Sequence, residues 1–195
     1  TISNSTISGN SSIGIRVYNY GAATIASTTI SNNSSYGIDA SWSSGDITIS
    51  DSTISSNSSY GLYSAGSRGD VTISGTTISG NSNGGIRHRY AYSGSSLTVS
   101  GSTISGNSGT GIGIEYPKTA LAFSITNNTI SSNSGHGIYY ANYSIAYVSS
   151  PLPTITNAAP GTRSRIAGNA RISMSWPLRG TSRDRHSTTG RSPRR

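Results

Sequence analysis

Along the first three quarters of the chain the aliphatic residues keep a fixed three-beat pattern. One isoleucine centres each "TIS" triplet: Ile7, Ile30, Ile54, Ile78, Ile104 and Ile130. Five residues before each stands a second aliphatic: Ile2, Ile25, Ile49, Ile73, Val99 and Ile125. Eight residues after each stands a third: Ile15, Ile38, Leu62, Ile86, Ile112 and Ile138. The triplets recur at intervals of 23, 24, 24, 26 and 26 residues, a period that signals a solenoid. Polarity alternates residue by residue around the beats, as in "DITIS", "DVTIS", "SLTVS" and "AFSIT". Such alternation predicts strands with their aliphatics on one face. Every change of length falls after the third beat and before the next strand, where a loop tolerates insertion.

Three short strands with one or two inward aliphatics each cannot close a core alone. Stacked coils can, because Ile lies over Ile and each backbone N–H and C=O pairs with the next rung. A leucine-rich repeat of this length would show its own Leu and Asn spacing and helical segments, and neither is present. The pattern therefore predicts an all-β parallel β-helix of about six coils over residues 1–148, rising roughly 4.8 Å per coil. Three residues after each anchor comes Asn10, Asn33, Asn57, Asn81, Asn107 or Asn133. Asn tolerates a left-handed backbone at a sharp corner, and its amide can bond the Asn of the next rung. Sequons at Asn10, Asn33 and Asn57 suggest glycosylation, yet the column persists at Asn81 and Asn107 without one, so the corner role accounts for it better. Gly14, Gly37, Gly61, Gly85, Gly111 and Gly137 precede the third aliphatic, where a missing Cβ permits an unusual conformation or a close approach.

The "TISGNSG-GI" pattern with its Asn corner resembles the right-handed parallel β-helix of pectate-lyase-like proteins. It is especially similar to the "NSTISGNS" repeats of large bacterial secreted and cell-surface proteins. The resemblance implies a secreted or surface location. It leaves activity open, since the fold hosts polysaccharide lyases, hydrolases, epimerases, adhesins and passenger domains.

Composition changes the picture at the C-terminus. The chain has 195 residues and a net charge of +8, but the charge is not spread evenly. Residues 1–150 hold Arg16, Arg68, Arg87, Arg89 and Lys118 against Asp39, Asp46, Asp51, Asp70 and Glu115, and so are neutral. The whole excess lies beyond residue 150, where nine arginines face Asp184 alone. "PLPTIT" reads as the start of another coil, after which no anchor stands at the right spacing. Residues 149–195 are expected to be a disordered basic tail or the product of a shifted reading frame. They lack the interleaved aromatics of a nucleic-acid module. The absence of cysteine excludes disulfides and thiolate metal sites, and no apolar run is long enough for a transmembrane helix. The chain opens in mid-repeat at "TISNSTIS", as a piece of a longer protein would.

Candidate chemistry is sparse. The resemblance implies that an enzyme of this class would place acidic residues, sometimes with calcium, on the outer face of one sheet. Asp46 and Asp70 hold equivalent places in successive coils, outward and about one rung or roughly 5 Å apart. That is close to the carboxylate separation of a retaining glycosidase, and Asp51 is a neighbour. An Asp that merely starts a strand after a Gly turn explains the same residues, and calcium would need six or more oxygen ligands. "RGD" at residues 68–70 matches an integrin-type tripeptide, a motif short enough to arise by chance. The segments after each "GI" carry most of the large polar side chains: Tyr18, Tyr20, Trp42, Tyr63, Arg87, Arg89, Tyr90, Tyr92, Tyr116, Tyr139 and Tyr140. Aromatic faces stack on sugars and arginine grips carboxylates bidentately, so these residues form a candidate glycan- or partner-binding edge. Aromatics covering exposed coil edges is the plainer alternative. His88 is expected at the surface or edge. Finally, the Thr and Ser that flank each anchor predict a regular hydroxyl grid, which resembles ice-binding faces.

Overall fold

The computed structural model describes residues 1–117 and 121–141, together with the backbone of strands 154–156, 164–167 and 173–175. The described residues contain strands and turns and no helix. The strands fall into three parallel sheets, here called A, B and C in the order the chain visits them. Sheet A takes the strand of the first beat, sheet B the "TIS" triplet and sheet C the third beat. Each strand pairs with its equivalent one coil earlier and one coil later, in register: Ile49 faces Ile73, Ile54 faces Ile78 and Leu62 faces Ile86. The architecture is the expected parallel β-solenoid of about six turns. Within the stretch expected as a tail, strands Thr154–Thr156 and Ser173–Ser175 extend sheet A, and Ser164–Ala167 extends sheet C. The other residues of 142–195 lie outside the described residues.

The aliphatic columns fill the interior. Ile25, Ile30, Ile38, Ile49, Ile54, Leu62, Ile73, Ile78, Ile104 and Ile112 are fully buried. Full burial of one such side chain stabilises by about 1.5–3 kcal/mol, so these columns supply most of the driving force for stacking.

The Asn column is a continuous ladder. The Oδ1 of Asn81 accepts from the backbone N–H (3.1 Å) and Nδ2 (3.0 Å) of Asn57, while Asn81 donates likewise to Asn107 Oδ1 (both 3.0 Å). Its Nδ2 also donates back to Ile54 O at 3.2 Å, so one amide ties three coils. Asn33, Asn57, Asn81 and Asn107 are completely buried, which sets aside Asn33 and Asn57 as glycosylation acceptors. The left-handed residue at this corner is not the ladder Asn but the one before it: Gly9, Asn32, Ser56, Gly80, Gly106 and Ser132, all with φ between 54° and 68°. That residue turns the chain, which lets the Asn side chain point along the stack. For the glycine column the close approach decides. A Cβ on Gly61 would lie 2.7 Å from Ile78 Cγ2 and 2.9 Å from Gly85 O.

A second ladder, unnoticed in the sequence, runs through the corner between sheets A and B. Thr28, Ser52, Thr76, Ser102 and Asn128 are buried two residues before their anchors. The hydroxyls of Thr28, Ser52, Thr76 and Ser102 donate to the carbonyl two residues back. Each backbone N–H of these four donates to the side-chain oxygen one coil on, as Thr76 N does to Ser102 Oγ at 3.1 Å. The signal was the small polar residue in "ST", "TT" and "NT" before each "IS".

Asn81→Ala removes the acceptor of the Asn57 backbone N–H and one donor to the Ile54 carbonyl inside the core. It should cost about 3 kcal/mol or more in urea unfolding, whereas Asn10→Ala, at an exposed rung, should cost under about 1 kcal/mol.

Candidate binding face

Strand parity sorts the side chains of sheet C. Counting from each anchor, the eighth and tenth residues point inward and the ninth and eleventh outward. The outward ninth column is Arg16, Asp39, Tyr63, Arg87, Gly113 and Tyr139, and the eleventh includes Arg89 and Glu115. The inward tenth column is Val17, Ala40, Ser64, His88, Ile114 and Tyr140, all of them buried. Two expectations are thereby corrected. Tyr140 does not belong to an outer edge; its ring packs inside against Phe123, centroids 5.3 Å apart. His88 is not a surface residue; it is 1% exposed. Both follow from alternation, which overrides the preference of polar side chains for water.

The outward residues join into two clusters. On the face itself, Tyr36, Tyr60 and Tyr63 stack, with Tyr36 and Tyr63 4.8 Å apart and within 9° of parallel. Burial, then Tyr63, Asp39 and Tyr60, push the Tyr36 phenol above its ordinary range. Arg87 donates to Tyr60 Oη (3.1 Å) and pairs with Glu115 at 2.8 Å. Burial works against its charge, but the hydrogen bond and attraction of Glu115 outweigh it and hold the guanidinium more firmly protonated. Arg16 pairs with the buried Asp39 at 3.3 Å.

The second cluster lies at the corner that follows sheet C. Asn19, Trp42, Gly66, Tyr90 and Tyr116 occupy the same place in five successive coils, twelve residues after their anchors. All five are left-handed, with φ of 62°, 59°, 65°, 53° and 52°. Asn and Gly accept that geometry readily; for a bulky aromatic it costs about 1 kcal/mol or more. The indole of Trp42 lies on Gly66, where a Cβ would approach its ring to 2.6 Å. Tyr90 and Tyr116 stack at 5.7 Å. The Arg89 guanidinium sits 4.2 Å from the Tyr90 ring centre and 5.8 Å from that of Tyr116, and hydrogen-bonds Tyr90 Oη. Arg68 lies 4.3 Å over Tyr92. Among the described residues neither Arg68 nor Arg89 forms an ion pair.

The remaining candidates are scattered. Tyr18 (54% exposed) lies 6.0 Å from the Arg16 guanidinium, Tyr20 projects at 89% exposure, and Tyr139 contacts His136. On sheet A, Asp46 and Asp70 are exposed, and each carboxylate caps the next coil. Asp46 Oδ1 accepts from Asp70 N (2.9 Å), and Asp70 Oδ1 accepts from Ser96 N (2.7 Å) and Oγ (2.8 Å). Asp51 sits at the corner between sheets A and B, with φ 48°. The "RGD" segment is built into the wall: Arg68 covers Tyr92, and a Cβ on Gly69 would collide with Gly45 O. The Thr column of sheet B is in register from Thr6 to Thr129. Among the described residues no three His, Asp or Glu side chains converge as metal ligands, and no helix is long and apolar enough to cross a membrane.

Gly66→Ala should displace the Trp42 indole and add left-handed strain of about 1 kcal/mol. In a Trp176→Phe background, Trp42 emission should shift and its near-UV dichroism weaken.

Comparison with known proteins agrees with this architecture. The structure superposes on pectate lyase Pel9A, known from a crystal structure, with a TM-score of 0.53 and 15% identity. The match covers 88% of this chain and 56% of that one, so the chain spans little more than half the length of its structural relative. No curated protein sequence matches it. The family described as "Right handed beta helix region" matches residues 1–152, and the stacked coils, the Asn ladder and this match together place the chain in the right-handed β-helix family.

Proposed function

We propose that the chain is a non-catalytic β-helix scaffold segment of a secreted or cell-surface protein that binds glycan along the corner after sheet C. The observation that carries this reading is the ledge of Trp42, Tyr90 and Tyr116. Three bulky aromatics stand at a corner position where sterics favour Gly or Asn, and backbone strain of that kind concentrates at functional sites. Their rings offer stacking area at low entropic cost, and equivalent residues are spaced by rungs of roughly 4.8 Å. Arg68 and Arg89, laid over tyrosines and free of carboxylate partners among the described residues, suit the acidic groups of a sugar acid. An extracellular location is supported by the family and by the likeness to a pectate lyase.

A second reading, a fragment of a polysaccharide lyase or hydrolase using Asp46 and Asp70, draws on that likeness and on the exposure of both carboxylates. Their capping bonds favour a structural role instead.

Titration with polygalacturonate and with a neutral glucan separates the readings. Arg89→Ala and Tyr116→Ala should each weaken polygalacturonate binding about tenfold, the loss of roughly one stacked or charge-assisted contact. Asp46→Asn should leave binding unchanged, and no unsaturated or reducing-end product should accumulate. Turnover that disappears in Asp46→Asn would establish the enzyme; binding unaffected by either ledge variant would sink the glycan reading.

A further inference from the structure

Along the described inward positions of the three sheets the side chains are apolar apart from Tyr140 and one polar pair beneath the binding face, Ser64 and His88. His88 lies in strand Gly84–Arg89, between Ser64 of the preceding coil and Ile114 of the following one. Its Nδ1 is 3.2 Å from Ser64 Oγ, Ser64 Oγ is 2.8 Å from Ser67 Oγ, and Ser67 Oγ donates to Ala40 O at 3.0 Å. Each serine has one proton. Ser67 spends its proton on the carbonyl, so Ser64 must donate to Ser67, and the third bond then needs a proton on His88 Nδ1. The tautomer that satisfies the chain is therefore the Nδ1–H form, which leaves Nε2 as a bare acceptor. That atom is buried and has no hydrogen-bond partner among the described residues.

A second proton would go to Nε2 and would place a cation in this interior. No described inward side chain balances it. The neighbouring inward side chains on sheets A and B are Val71, Ile73, Leu97, Val99, Ile78 and Ile104. The titratable group that shares the inward column is Tyr140, two coils on. Arg87 and Arg89 flank His88 and point outward, as do Tyr63 and Glu115 on the adjoining strands, and Glu115 is already paired with Arg87. We propose that His88 is an acid-operated latch: neutral, it seats strand Gly84–Arg89 in the wall, and protonated in mild acid it leaves the interior and unseats Arg87, Arg89 and Tyr90.

Burial lowers the His88 pKa to about 4 from its ordinary 6.5. A base whose folded pKa is depressed takes up its proton more readily in the open state. The closed strand is thus at full strength above pH 6.5, weakens as pH falls toward 4, and loses no more below that. The opening equilibrium should rise by up to about 300-fold across this window. The latch does not depend on what the outer face binds.

Hydrogen exchange of the full chain between pH 7 and 4, corrected for intrinsic rates, tests it. Peptides spanning 84–92 should open progressively in the wild type, against residues 25–38 as internal reference. They should show no such rise in His88→Asn, whose amide can still donate to Ser64 but does not titrate. The same pH profile in both proteins would overturn the proposal. The wild type alone gives an independent measure should the variant not fold: an imidazole resonance of His88 that titrates near 6.5 while 84–92 stays protected would also overturn it.

Discussion

A coil of this solenoid has no core of its own. Ile54 is buried because Ile30 and Ile78 lie one rung away on either side in the same register, and the same holds for every aliphatic column. Register is thus the constraint on which everything else rests: a slip of one residue would turn each column from the interior to water. Two polar ladders enforce it. Backbone pairing along a sheet is nearly indifferent to which residue faces which. Each buried Asn amide bonds the Asn of the next coil and a carbonyl of the coil before, and at the corner between sheets A and B the hydroxyls of Ser52, Thr76 and Ser102 accept from the backbone N–H one coil back.

These requirements fall unequally on the three walls. Sheet B is three residues wide in every described coil, bounded by the buried Thr and Ser ladder at one corner and the Asn ladder at the other, each with its left-handed residue, and its outward positions are Thr and Ser throughout. Among the described residues of 1–141, sheet C and the corner and loop after it carry the length changes, the arginines and most of the tyrosines. The corner after sheet C has no continuous side-chain ladder of the kind that fixes the other two. Its side chains are free to differ from coil to coil, and that freedom admits the Trp42, Tyr90 and Tyr116 ledge.

Charge follows the same division. Arg16 with Asp39 and Arg87 with Glu115 are cross-coil pairs that neutralise the middle of the face, and each compensates a carboxylate largely withdrawn from water. Arg68 and Arg89 instead rest on aromatic rings. A guanidinium held over a ring is oriented without being neutralised, which leaves its charge available at the rim of the wall.

The sequence by itself determined the fold, the number of coils and the inward columns, because a repeat with alternating polarity admits one stacking register. It also identified the Asn and Gly columns, since both recur without exception. It carried the fate of His88 and Tyr140 too, in their even spacing from Ile78 and Ile130, but polarity argued the other way and only packing decided between them. Which residue turns each corner, that the glycines serve close approach rather than positive φ, and that Asp46 and Asp70 cap neighbouring coils were settled by tertiary structure alone. So was the ledge. Residues such as Tyr90 and Tyr116, or Trp42 and Gly66, are 24 or 26 positions apart in the chain, and only the stacking of coils brings them into contact.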